Sequence, residues 1–119
     1  MSPLTPLSHL DELDAAIAES GRRPVLLFKH SRTCGISCEA LDELNAHLEA
    51  ADVQTSYKLI TVQSHRAVSD EAAVRLGIRH QTPQAILLRD GRPVWSASHF
   101  RITRLELDRI MKYPSVLAS

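Results

Sequence analysis

The residues best suited to do chemistry are two cysteines, Cys34 and Cys38, in the stretch SRTCGISCEALDEL from Ser31 to Leu44. They could act as a disulfide pair, as metal ligands, or as one reactive thiol beside a bystander. Three residues separate them, one more than in the familiar redox dithiol. Residues i and i+4 of a helix share a face with Cα atoms about 6 Å apart, near the upper end of the disulfide range, so a bond here would be strained and easily reduced. His30-x3-Cys34-x3-Cys38 supplies three potential metal ligands, and His80 or His99 could complete four. No second Cys/His cluster with finger-like spacing accompanies them, so no metal is expected.

Cys34 falls where an apolar run ends and a helical pattern begins. The first turn of a helix leaves backbone N–H groups unpaired and carries partial positive charge, which stabilises a thiolate. Lys29, His30 and Arg32 are close in sequence, though strand alternation sends Lys29 and His30 to opposite faces. Lowering a thiol's pKa from ~8.5 to ~6.5 raises its attack rate at neutral pH only about 3-fold, because nucleophilicity falls as ionisation grows. The larger effect is on departure, since low-pKa thiols leave faster. Such a site suits an exchanger that both forms and releases mixed disulfides. The competing reading of any free cysteine is a small buried hydrophobe. Gly35 and the strand-to-helix corner argue for exposure of Cys34. Cys38 flanks the stripe set by Leu41, so burial is its first reading and a resolving thiol its second.

The elements that must position these residues follow from periodicity. Leu7, Leu10, Leu13 and Ile17 predict a helix over about Ser8 to Ser20, capped by Ser8 and ended by Gly21. Val25 to Phe28 is a continuous apolar run, as in a strand covered on both faces. Leu41, Leu44 and Leu48 stripe a second helix reaching about Ala51. Tyr57 to Val62 reads as a strand, and Ser69 to Leu76 as a helix with Val68, Ala72 and Leu76 inward and Gly77 stopping it. Asp90-Gly91 between Ala85–Leu88 and Val94–Ala97 is a hairpin signal. A last helix runs from about Thr103 to Lys112 on Leu105, Leu107, Ile110 and Met111. The order predicts an α/β fold of thioredoxin-like pattern, a central mixed four-stranded sheet flanked by helices on both faces.

At 119 residues the expectation is a single domain spanning 1–119. Its 14 basic and 14 acidic residues cancel, and aromatic content is only 4%, so neither nucleic acid nor an acidic membrane is an expected partner. The N-terminal MSPLTPLSHLDELD lacks a basic segment followed by an apolar run. No apolar stretch approaches the ~20 residues of a membrane span. The expected compartment is the cytoplasm, where a permanent disulfide is disfavoured.

Phe28-Lys29-His30-Ser31 with Thr33-Cys34-Gly35-Ile36-Ser37 resembles the active-site segment of the monothiol bacilliredoxins, within the thioredoxin-like superfamily. His80-Gln81-Thr82-Pro83-Gln84 resembles their cis-proline loop, and Trp95 to His99 with Ile102-Thr103 their final strand and helix entry. The resemblance spans about Pro24 to Met111. It implies thiol–disulfide exchange that removes bacillithiol, a cysteine–glucosamine–malate thiol, or a similar small thiol from cytosolic proteins. The expected partners are S-thiolated proteins and small thiols, with bacillithiol as co-substrate and no bound cofactor. Cys34 would be the nucleophile, and Ser37 stands where dithiol relatives have a second cysteine. Thr82, Pro83, Gly35 and Ile36 would contact substrate, with Thr82 pairing through its backbone. His30, His80 and His99 are candidates for thiolate stabilisation, proton transfer or contact with the malate carboxylates, or else are structural. Lys29, Arg32 and Arg79 are candidate attractors of those carboxylates. His9, His47 and His65 carry no motif. Two departures stand out: Gly35 replaces a frequent proline, and Cys38 lies outside the motif, which keeps a dithiol mechanism open. A non-catalytic thioredoxin-like binding module is a further alternative.

Overall fold

The protein is described by a computed structural model that covers residues 4–49 and 54–112. The strands are β1 (Leu4–Pro6), β2 (Val25–His30), β3 (Ser56–Thr61), β4 (Gln84–Arg89) and β5 (Arg92–Ser98). The helices are α1 (Leu10–Glu19), α2 (Gly35–Leu48), α3 (Arg66–Leu76) and α4 (Arg104–Lys112), with a 3-10 turn at His99–Arg101. The strands form one sheet in the order β1-β3-β2-β4-β5. β2 runs parallel to β3 and antiparallel to β4, and β1 runs parallel to β3.

The continuous apolar run of β2 is explained by its place. All six of its residues are buried. Val25 and Leu27 face a cluster with Leu13 and Ala16 of α1 and with Val68, Ala72 and Leu76 of α3. Leu26 and Phe28 face Ala40 and Leu44 of α2 and Leu107 and Ile110 of α4. Helices therefore cover both faces, as expected, but the sheet has five strands rather than four. The extra strand, Leu4–Pro6, is too short to show alternation. Its proline lacks an N–H and is tolerated because the strand lies at the edge.

Several boundaries also shift. α1 starts after His9, not Ser8, because the Glu12 carboxylate reaches back to the N–H groups of Ser8 (2.6 Å) and His9 (3.0 Å). The buried stripe of α2 is Ser37, Ala40, Leu44 and His47, while Leu41 and Leu48 are only half-buried. The expected end of α2 near Ala51 lies outside the described residues. Leu105, expected in the core, is exposed. The Asp90-Gly91 hairpin forms, both residues having positive φ (53° and 76°). α3 ends on Gly77 in the left-handed conformation at φ 65°.

A Cβ at Gly77 meets nothing within 4 Å, so the cost of substitution is backbone strain alone. Gly77→Ala should lower stability by about 1 kcal/mol with an unchanged denaturant slope in urea unfolding.

Candidate active site

Cys34 is the cap of α2, with extended backbone (φ −105°, ψ 120°), and its carbonyl accepts the first helical bond from the Cys38 N–H at 3.0 Å. It is half-buried, and both cysteines are free thiols. Cys38 is exposed, which corrects the expectation of burial. The physical reason is the helix phase: the stripe runs through Ser37, not Leu41, so Cys38 rotates out. Its Sγ lies 3.8 Å from the Arg32 carbonyl.

The loop before α2 is held from two sides. Ser37 is completely buried. Its Oγ accepts the Ser31 N–H at 2.9 Å and lies 2.8 Å from His30 Nδ1. Across the sheet end, the Gln63 amide oxygen accepts the Arg32 N–H (3.1 Å), and its nitrogen donates to Ser31 Oγ (2.8 Å) and Thr33 Oγ1 (3.2 Å). No sequence motif pointed to Gln63, because it lies some thirty residues from the loop it clamps. His30 is buried and stacks on Phe28 at 6.1 Å. Burial lowers its pKa, against a raising contribution from Ser37 and with a further lowering by Arg32. It is therefore a neutral group in the wall beneath the loop.

Lys29 takes the other face. Expected to meet a substrate carboxylate, it is instead fully buried. Its Nζ donates to the Ser69 carbonyl at 3.0 Å and lies 3.2 Å from His80 Nδ1. Burial lowers its pKa to about 8, opposed by Asp70. An ammonium can only donate, so His80 Nδ1 must accept. Ser69 Oγ, 3.3 Å away, adds a second donor there. The proton of neutral His80 consequently sits on Nε2 and points to Thr82 Oγ1 at 3.2 Å. Burial and then the Lys29 charge hold His80 below its ordinary pKa, with Asp70 opposing and Arg66 assisting. A chain of hydrogen bonds thus runs from a buried amine to the threonine before Pro83. The Thr82–Pro83 peptide bond is cis. The Pro83 carbonyl accepts the His99 N–H at 3.1 Å, which joins this loop to the 3-10 turn. His99 is exposed and lines a cleft with Ile36. Sheet pairing of Lys29 with Gln84, and of Gln84 with Ser98, puts all these segments at one end of the sheet.

His47, which carried no motif, is buried between Asp108 (Nδ1 to Oδ1, 2.5 Å) and the Tyr57 hydroxyl (Nε2, 2.8 Å). It ties α2, α4 and β3 together near the far end of α2. Among the described residues, no three His, Cys, Asp or Glu side chains converge as a metal-binding group. The potential ligand His30 is turned instead to Ser37.

The family model described as "Monothiol bacilliredoxin BrxC" matches residues 5–107. The chain belongs to the monothiol bacilliredoxin family. A solved structure described as a candidate oxidoreductase with a thioredoxin fold is 31% identical, over 91% of this chain and 93% of that one, with a TM-score of 0.80. Fasciola hepatica thioredoxin is 15% identical over 91% of this chain and 96% of its own, with a TM-score of 0.73. A Halobacterium salinarum thioredoxin mutant is 19% identical over 95% and 94%, with a TM-score of 0.69. The two thioredoxins establish the fold. Family membership supports a thiol–disulfide redox role for this bacilliredoxin. Among the described residues, no helix is long and apolar enough to cross a membrane.

Two predictions follow from the geometry of this bacilliredoxin. The Lys29 amine has a folded pKa of about 8 against an ordinary 10.5, so between those values only the unfolded chain keeps the proton, and stability should rise with pH there. Lys29→Met removes that rise. Urea unfolding on either side of the window should show the parent gaining on the variant as pH increases. Gly35 is the first helical residue, a Cβ there meets nothing within 4 Å, and Cys34 is already extended. Gly35→Pro should therefore raise stability by about 0.4–1 kcal/mol in the same measurement.

Proposed function

We propose that the protein removes bacillithiol, or a similar small thiol, from mixed disulfides on other proteins through Cys34. The observation that carries this reading is a free, half-buried thiol capping α2 while a buried hydroxyl, Ser37, fills the place of a second thiol. The Cys34 thiolate attacks the small-thiol sulfur of the mixed disulfide. That bond breaks, the protein leaves as a thiolate, and Cys34 carries the small thiol. A second molecule of the small thiol, as thiolate, attacks the small-thiol sulfur of this adduct. Cys34 is released as a thiolate, and the symmetric small-molecule disulfide departs with the oxidising equivalents. Both steps are ordinary exchange, and neither needs a metal or a bound cofactor.

Thr82, with its hydroxyl fixed by His80, and Pro83 offer the wall against which the incoming disulfide lies. Gly35 and Ile36 supply N–H groups in the first turn of α2. Arg32, Arg66 and Arg79 are exposed and available to the carboxylates of a malate-bearing thiol, whereas buried Lys29 acts only through His80. The expected site of action is the cytoplasm.

A second reading, in which Cys38 resolves the adduct, is favoured by its exposure one helical turn from Cys34. Serine variants separate the two. Cys34→Ser should abolish removal of a bacillithiol cap from a capped protein. Cys38→Ser should keep turnover within about 2-fold while bacillithiol is plentiful, since exchange through one thiol needs no resolving partner. Mass spectrometry after exposure to bacillithiol disulfide should place a stable adduct on Cys34 in that variant. Loss of turnover in Cys38→Ser would establish the dithiol reading instead.

A further inference from the structure

From Ile36, two residues beyond Cys34, α2 and the 3-10 turn line an open cleft of about 330 Å³. Ile36 and Phe100 give it an apolar floor and rim, and Phe100 is 69% exposed. Glu39, Asp42 and Glu43 supply three carboxylates, and the one basic side chain in the lining is His99. Glu43 is partly engaged, accepting the Arg104 N–H at 2.7 Å. The Glu39 and Asp42 side chains are exposed and make no hydrogen bond or ion pair among the described residues.

The arginine flank belongs with α3, on the other face of the sheet from α2 and α4. Arg32 lies two residues before the cysteine and its N–H is held by Gln63, while the Arg66 charge acts on His80. Arg79 is the neighbour of His80, and Asp70 is the acid in that group.

We infer that the α2 cleft binds the polypeptide half of the mixed disulfide, selecting capped cysteines in segments that carry Lys or Arg beside an apolar side chain. This rests on the proposed exchange function and names the substrate class within it. A dicarboxylate thiol is repelled by Glu39 and Asp42 and drawn to the arginine flank. A basic, apolar peptide is drawn the other way, with its apolar side chain against Phe100 and Ile36. The two halves of the substrate are thereby sorted to opposite sides of the attacking sulfur.

The test has a binding arm and a turnover arm. Two fluorescent peptides differ only in having Lys or Glu on both sides of one leucine and one serine, the serine replacing the capped cysteine. Titrated against Cys34→Ser protein at low salt, the Lys peptide should bind about 10-fold more tightly, as expected for two or three partly exposed charge contacts. The preference should shrink as salt is raised. It should vanish in the additional variant Glu39→Lys/Asp42→Lys, while Phe100→Ala should weaken both peptides. Equal binding of the two peptides, or a preference unmoved by the double variant, overturns the inference. In the turnover arm, bacillithiol-capped cysteine versions are given to the parent enzyme. Charge preference in binding without turnover of either peptide counts against the exchange function and leaves the cleft standing. Turnover without preference counts against the cleft alone.

Discussion

Both faces of β2 are dry, and its last two residues are polar. That single constraint organises the Cys34 end of the molecule. A buried polar group must find partners or cost several kcal/mol, and alternation sends Lys29 and His30 to opposite layers. Each side chain therefore recruits a neighbour from a different helix. Lys29 takes the Ser69 carbonyl and His80, and through His80 it orders the segment before Pro83. His30 takes Ser37, and through Ser37 the loop leading to Cys34. The two walls of the site are thus fixed from the same strand end. Removing either polar group would leave the other layer intact but one wall without its anchor.

Much of this fold was legible in the sequence because its signals are local. The apolar run of β2, the Asp90-Gly91 turn and the Gly77 stop are each decided within a few residues, and the structure agrees with them. Cys34 was placed at the mouth of α2 by the same local logic. The errors have a shared cause. α2 buries Ser37 and His47, two polar residues satisfied by partners far along the chain, so a count of leucines set the stripe one residue late and put Cys38 inside. β1 is three residues at a sheet edge, where backbone bonds to β3 suffice and no side-chain pattern is required. Lys29 was read as a surface cation because nothing nearby in sequence announces the partners that let it be buried.

Charge tells a similar story at larger scale. A net charge of zero gave no reason to expect nucleic-acid capture by bulk electrostatics, and it said nothing about arrangement. Folding sets Glu39, Asp42 and Glu43 along one cleft of α2, whereas Arg66 belongs to α3 on the other face of the sheet.

Ser37 limits what its position can become. A sulfur atom is larger than a hydroxyl oxygen and a much weaker acceptor, so a cysteine at this position would hold neither the Ser31 N–H nor His30 as the present side chain does. The side chain serves as scaffolding, holding the loop before Cys34 and the His30 ring at once. A thiol put at this position would cost the loop that anchor before it could add any chemistry of its own.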